Sequence, residues 1–251
     1  MVTGVLQIFT DLGRWILLMR QALQRPEKWS MYWKETVRQM YDIGIGSLII
    51  VALISIFMGA VAAIQFAYQL SGQLIPIWYI GYIVRDLAIL ESAPTITCLV
   101  LAGKVGSNMA AELGGMRQKE HIDAMEIMGV NTASYLIMPK LIAAVVVIPL
   151  LVYVSAFVAM IGGFLASVPT GVMTAPEYTR GLLAFYEPYN VFIMTVKSVV
   201  FAFILTAVST YQGYFVKIGS IELGKASTQA VVASNILILL ADYIIALLLT
   251  A

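Results

Sequence analysis

The sequence predicts an all-α integral membrane protein: an N-terminal interfacial helix, five transmembrane helices, and a short charged helix between the second and third spans. Only 12% of the 251 residues are charged and 61% are hydrophobic, whereas about a quarter of a soluble domain is charged. The mean hydropathy is +0.90. Apolar stretches long enough to cross a bilayer recur along the chain, and lipid forces such stretches to be helical. We therefore treat residues 1–251 as one domain.

Composition also bounds the chemistry. The single cysteine, Cys98, lies in an apolar stretch, so neither an intrachain disulfide nor a cysteine-only metal site is expected. The single histidine, His121, excludes a multi-histidine metal centre. A net charge of +1 gives no indication of a nucleic-acid partner, and we expect none.

Residues 4–25 predict an amphipathic helix that lies in the membrane interface. Asp11, Arg14 and Arg20 interrupt its apolar positions, and Pro26 ends it. A stretch with this much charge is a poor transmembrane span, but it suits a helix that buries one face among lipid headgroups.

Five apolar stretches predict the transmembrane spans. The second contains Glu91 followed by Pro94, and the third contains Pro149, which predicts a kink. Residues 169–189, which hold three prolines, are expected to form an exposed loop, and residues 213–227 a second loop. The spans are about 44–68, 81–109, 133–168, 190–212 and 228–250.

Basic residues predict the orientation. The side of the N-terminus would hold Arg14, Arg20, Arg25, Lys28, Lys34, Arg38, Arg117, Lys119, Lys140, Lys217 and Lys225. The opposite side would hold only Arg85 and Arg180, with Lys197 in a span nearer that end. The positive-inside rule then predicts a cytoplasmic N-terminus and, after five spans, a C-terminus outside.

The densest charge lies in a predicted amphipathic helix at about 117–128. The Gly114-Gly115 pair is expected to break the chain before it, and Gly129 to cap its end. An apolar stripe would carry Ile122, Met125 and Met128 with His121 among them, and Lys119, Glu120, Asp123 and Glu126 would lie opposite, with Ile127 as the one apolar intruder. Such a helix is either a docking element for a soluble partner or a solvated link between two spans.

Glu91 and Lys197 are charges inside predicted spans, where an unpaired charge is costly. Their depths are similar, so we expect a pair between the second and fourth spans. The pair either locks the helices together or meets a lipid headgroup. Asp242, in the last span, is interpreted as a polar helix contact with Asn235.

Several motifs recur together in one known family. They are Glu91-Ser-Ala-Pro94, Ala102-Gly-Lys-Val-Gly-Ser107, Ala111-Glu-Leu-Gly-Gly-Met-Arg117, Glu120-His-Ile-Asp-Ala-Met-Glu-Ile-Met-Gly-Val130, Val196-Lys-Ser-Val-Val-Phe-Ala202 and Gln212-Gly-Tyr214. With them, nearly the whole chain resembles the MlaE/YrbE family of ABC-transporter permeases, which move phospholipid between bacterial membranes.

The resemblance implies a homodimer in the bacterial inner membrane, with a cytoplasmic ABC ATPase that binds ATP and magnesium, and an MCE-domain protein on the periplasmic side. The permease itself would carry no cofactor. The charged helix would be the coupling helix seated in the ATPase, with contacts from Arg117, Glu120, His121, Asp123, Met125, Glu126 and Met128.

The resemblance also places Glu91 and Lys197 on the family's intramembrane charged positions, which would meet the phospholipid. The family often has arginine immediately before that glutamate, where this chain has Leu90, and Arg85 is a candidate substitute.

The leading hypothesis is therefore a phospholipid permease subunit, not itself an enzyme. An intramembrane lipid-modifying enzyme is one alternative, but the sequence has neither a nucleophile elbow nor an HExxH motif. A non-catalytic membrane scaffold and a transporter of small solutes are the others.

Overall fold

The computed structural model describes residues 2–23, 29–70, 75–217 and 219–250. Within these ranges the chain is helical and contains no strand, which confirms the all-α class. In chain order the elements are α1 (Val2–Ala22), α2 (Trp29–Leu70), α3 (Tyr79–Leu87), a first π segment (Ala88–Ile96), α4 (Thr97–Leu101), a second π segment (Ala102–Gly106), α5 (Ser107–Gln118), α6 (His121–Ile127), α7 (Thr132–Ser167), α8 (Ala175–Leu183), α9 (Pro188–Tyr214) and α10 (Ser220–Thr250).

Five stretches of the described chain are helical, long and apolar enough to cross a membrane, as an integral membrane protein requires. All but the third are longer than the spans drawn from hydropathy, because a helix continues past the lipid into water while hydropathy marks only its apolar part. The stretches are Ser30–Leu70, Tyr79–Gln118, Thr132–Ser167, Pro188–Tyr214 and Ser220–Leu249. The N-terminal helix, predicted over 4–25, is observed as α1, and residues 24–28, with Pro26, lie outside the described part.

The prediction that residues 169–189 form a loop is wrong in part, because this segment contains helix α8. Its prolines suggested a break, but Pro176 lies in the first turn, where a missing N–H costs nothing. The Thr174 N–H donates to the Glu177 carboxylate at 2.8 Å as part of a capping box, and the Thr174 hydroxyl donates to the same carboxylate at 2.8 Å. These bonds lower the pKa of Glu177 below its ordinary value. The loop predicted at 213–227 is also shorter than expected, because α10 begins at Ser220.

The second span is interrupted by the two π segments, which the sequence analysis did not predict. A π turn adds one residue to a helical turn and often marks a functional position. The first π segment contains Pro94, whose ring has no N–H to donate to the carbonyl four residues earlier.

The chain divides into two compact units. The first comprises Met1–Ile43, Ala102–Val146 and Ala202–Leu237. Its core packs buried side chains of α1, α5, α6, α7 and α9 together, among them Leu18, Leu113, Ile122, Ile137 and Tyr214.

The second unit comprises Gly44–Leu101, Val147–Phe201 and Ile238–Ala251. In this unit α2 and α7 approach so closely that a Cβ on Gly59 would collide with the backbone of Ala159, and one on Gly162 with that of Ile56. Small residues permit this approach, which membrane helices use for packing.

Candidate functional site

Three charged side chains from three different spans meet in the second unit. Lys197 Nζ of α9 lies 3.2 Å from Glu91 Oε2 of the first π segment. The same nitrogen lies 2.6 Å from Asp242 Oδ1 of α10. We call Glu91, Lys197 and Asp242 the intramembrane ion cluster. The predicted Glu91–Lys197 pair is thus present, and the interpretation of Asp242 as a contact of Asn235 missed its charged partner.

The backbone of the first π segment also contributes to this cluster. In an α-helix the N–H of residue 94 would donate to the carbonyl of Leu90, but Pro94 has no N–H. Lys197 Nζ donates to that carbonyl at 3.0 Å. The Thr95 hydroxyl donates to Asp242 at 3.0 Å. The irregular helix therefore supplies a carbonyl, a hydroxyl and a carboxylate to the site.

The three side chains differ in exposure, and this difference decides what the cluster can bind. The Lys197 and Asp242 side chains are 3% and 9% exposed, whereas that of Glu91 is 54% exposed. The single ammonium group of Lys197 pairs with two carboxylates. The ammonium is therefore fully paired, whereas part of the Glu91 carboxylate remains exposed. A half-exposed carboxylate among apolar spans requires water, protein or a polar ligand beside it.

Arg85 lies elsewhere in the second unit and contacts different groups. Its guanidinium donates to Asp86 Oδ1 at 2.8 Å and to the carbonyls of Leu182, Ala184 and Phe185 at 2.8, 2.7 and 3.1 Å. The residue is 3% exposed. Arg85 therefore fixes the end of α8, where Phe185 has a φ of 48°. The hypothesis that Arg85 replaces the arginine absent at Leu90 stays a prediction, and the observed contacts of its guanidinium are with the end of α8 and Asp86.

The charged helix predicted at 117–128 differs from the observed one in its start. Helix α5 continues through Gly114 and Gly115 to Gln118, and α6 begins only at His121. The break is at Glu120, which has a φ of 57°. Gly114 lies within the continuous helix, where a Cβ would meet the end of the Leu223 side chain, and not at a break. Gly129, with a φ of 80°, ends the helix as predicted.

The faces of α6 are also rotated from the prediction. Ile122 is fully buried in the core of the first unit, and Met125 packs against that core. The large apolar side chains that are exposed are Ile127 at 88% and Met128 at 71%. Of the predicted stripe, Ile122 is therefore unavailable for docking, Met125 is partly buried and Met128 is exposed, and the docking role of this helix stays a prediction. His121, the first residue of α6, is also exposed.

A polar network holds α6 against α9. Arg117 Nη1 lies 2.8 Å from Asp123 and 3.8 Å from Glu126. The Tyr214 hydroxyl donates to Glu126 at 2.9 Å and lies 2.7 Å from the Thr132 hydroxyl. The Arg117 guanidinium lies 5.8 Å from the centre of the Tyr214 ring. We call these five residues the α6 network.

Sequence reasoning assigned no role to Tyr214 or Thr132 in this network. The only available signal was the motif Gln212-Gly-Tyr214, in which Gly213 packs on the backbone of Ala110. That close approach brings the Tyr214 ring to α6.

The described residues form no candidate metal site. They contain no group of three or more His, Cys, Asp or Glu side chains arranged to hold a metal ion. The expectation that ATP and magnesium bind a separate ATPase, with no cofactor in this chain, stays a prediction.

Comparison with known proteins gives a consistent result. A family model described as "Permease MlaE" matches residues 36–248. A "Probable ABC transporter permease protein" of Rickettsia bellii is 32% identical over 240 residues, covering 96% of this chain and 92% of that protein.

Two further relatives carry names that mention lipid. The "Intermembrane phospholipid transport system permease protein MlaE" of Haemophilus influenzae is 27% identical over 242 residues, covering 96% of this chain and 92% of that protein. The chloroplastic protein TRIGALACTOSYLDIACYLGLYCEROL 1 of Arabidopsis thaliana is 29% identical over 229 residues, covering 91% of this chain and 65% of that protein.

Proposed function

This chain belongs to the MlaE permease family, and from that premise we propose that it is the membrane subunit of an ABC transporter that moves phospholipid between the inner and outer membranes. A separate cytoplasmic ATPase supplies the energy. The chain itself is the conduit and performs no chemistry on the lipid.

The observation that carries this proposal is the intramembrane ion cluster. Charges inside spans are costly and usually mark a transport path or a binding site. Here the Glu91 carboxylate is half exposed while its partner Lys197 is buried. The ammonium or hydroxyl groups of a lipid headgroup satisfy such a carboxylate, while the acyl chains lie along apolar helices. Two copies of the chain would enclose the lipid in this arrangement.

Helix α6 is the proposed contact with the ATPase. Ile127 and Met128 form an exposed apolar pair at the C-terminal end of α6, and His121 at its start is also exposed. The α6 network ties this helix to α9, so that a displacement of α6 is passed to a spanning helix. This role requires a cytoplasmic α6, with the MCE-domain protein on the opposite, periplasmic side.

Phospholipid transfer between reconstituted membranes tests the proposal. The full-length chain is placed in donor liposomes with its ATPase and MCE-domain partners, and labelled phospholipid reaching acceptor membranes is measured with and without ATP. We expect ATP-dependent transfer that Met128→Arg reduces at least tenfold. Met128→Leu is the matched control, because it keeps the apolar surface.

Three outcomes contradict the proposal. Chemical modification of the lipid without ATP would identify an enzyme instead. Failure to bind any ATPase, with no lipid retained, would favour a scaffold. Normal transfer by Met128→Arg would remove α6 from the coupling.

A further inference from the structure

A crevice of about 750 Å³ lies in the first unit, between α1, the end of α9 and α10. This volume is within the range of small-molecule sites in proteins. Its lining residues include no member of the intramembrane ion cluster or of the α6 network. The crevice is therefore a separate feature that the proposed function does not explain.

The polar end of the crevice is suited to an anion. Arg14 of α1 and Lys217, which follows α9, supply two positive charges, and Gln212 and Gln229 supply amide donors. No acidic residue is among the described residues that line it. Guanidinium, ammonium and amide groups together favour a ligand with several oxygen acceptors and a negative charge, such as a phosphate ester.

The other end of the crevice is apolar. Val232 and Ile236 follow Gln229 on α10 at spacings of one and two turns, so the three side chains lie along one face. Val232 is 52% and Ile236 60% exposed, and Phe215 of the same lining is also exposed. Since α10 is long and apolar enough to span the membrane, this wall is suited to contact acyl chains.

Along α10 the lining therefore changes from the hydroxyl of Thr228 and the amide of Gln229 to aliphatic groups, and Arg14 and Lys217 add charge from outside α10. A phospholipid has the same order of polarity, with a phosphodiester at one end and hydrocarbon at the other. Free phosphate would use only the polar end and would leave the aliphatic wall without a role. A phospholipid accounts for both ends.

We propose that this crevice binds a membrane phospholipid, with the phosphodiester between Arg14 and Lys217 and an acyl chain along Val232 and Ile236. Binding is independent of the proposed function. Only the further step, in which the crevice collects lipid for transport, rests on it.

Lipid binding by the full-length chain tests this proposal. The purified protein in detergent micelles is titrated with phosphatidylglycerol, and bound lipid is counted by native mass spectrometry. We expect the double variant Arg14→Gln/Lys217→Gln to bind about 25-fold more weakly, because each cation near an anionic lipid contributes about 1 kcal/mol. Lys225→Gln is the matched control, because Lys225 is an exposed cation of the same unit paired with Glu222.

Two further measurements separate a lipid from a free anion. Val232→Trp fills the aliphatic wall and should weaken phosphatidylglycerol binding without changing competition by inorganic phosphate. Glycerophosphoglycerol, which lacks acyl chains, should compete far more weakly than the intact lipid. Competition by inorganic phosphate as strong as that by the lipid, with no effect of Val232→Trp, would overturn the lipid assignment.

Other results also overturn the proposal. Equal binding by the wild type and the double variant would show that Arg14 and Lys217 do not hold the lipid. Failure of the proposed function gives a different pattern: phosphatidylglycerol binding would depend on Arg14 and Lys217, but ATP-dependent lipid transfer would be absent even from the wild type.

Discussion

Arg85 and Lys197 are both buried cations of the second unit, with side chains 3% exposed, yet their surroundings differ. Arg85 donates to three backbone carbonyls at the end of α8 and to its sequence neighbour Asp86. Lys197 contacts carboxylates from two other spans, together with a carbonyl that Pro94 leaves without its α-helical donor.

The difference teaches how to separate a structural charge from a functional one. Backbone carbonyls cannot turn away unless the chain itself moves, so Arg85 has a single arrangement and holds the turn that follows α8. Carboxylate side chains can rotate and exchange partners, and the Glu91 carboxylate is half exposed. Burial of the cation is equal in the two sites, so the mobility and exposure of its partners distinguish them.

The largest effect is expected from Lys197→Met. Removing the ammonium leaves two carboxylates close together, and breaking a buried ion pair costs about 4 kcal/mol. Thermal denaturation in detergent measures the loss, and lipid transfer should fall to background. Adding Asp242→Asn should restore part of the stability but not the transfer. Full transfer by the single variant would place Lys197 with Arg85 as a structural cation.

A smaller effect is expected from Arg85→Lys, which keeps the charge but loses the planar fork that reaches Asp86 and the carbonyls together. We expect a loss of about 2 kcal/mol in the free energy of unfolding, since hydrogen bonds to charged groups are disrupted. The amount of phospholipid transferred per folded protein molecule should not change. Arg38→Lys, at a side chain that is 73% exposed, is the control for stability. A selective loss of transfer would show that Arg85 serves the lipid after all.

The α6 network extends the comparison to the first unit, because its groups are also side chains that can exchange partners. Tyr214→Phe removes the hydroxyl that contacts Glu126 and Thr132, and should cost about 1 kcal/mol. We expect ATP hydrolysis to continue while lipid moved per ATP falls. Tyr243→Phe, at an exposed tyrosine, is the control. Unchanged lipid movement per ATP would limit Tyr214 to packing.

The smallest effect is expected at the other end of α8, where Glu177 closes the capping box. Its folded-state pKa is lowered, so its contribution is present above the unfolded pKa of about 4.3 and is lost as the pH falls through the folded value. Hydrogen exchange of the α8 amides should therefore quicken below about pH 4 relative to the protein's other helices. Glu177→Gln should show no such pH dependence, and an equal dependence in both proteins would contradict the assignment.

Much of the fold followed from local sequence. Hydropathy alone predicts five spans, because lipid requires helices about twenty residues long. The depth of Glu91 and Lys197 follows from the same pattern, since position along a span is position across the membrane. Gly129 ends α6 because only a residue tolerant of positive φ fits there.

Tertiary structure decided which groups meet. Asp242 pairs with Lys197, and Arg85 donates to a carbonyl of α8, although these partners are far apart in sequence. Ile122 is buried in the core of the first unit. Helical periodicity predicts which residues share one face of a helix, but it does not predict which other helix packs against that face. In the second span each π turn adds a residue and so rotates the helix faces that follow it. A prediction that assumes regular α-helix places those faces wrongly. The sequence by itself therefore determined the spans and the depth of their charges, and only packing determined the partners.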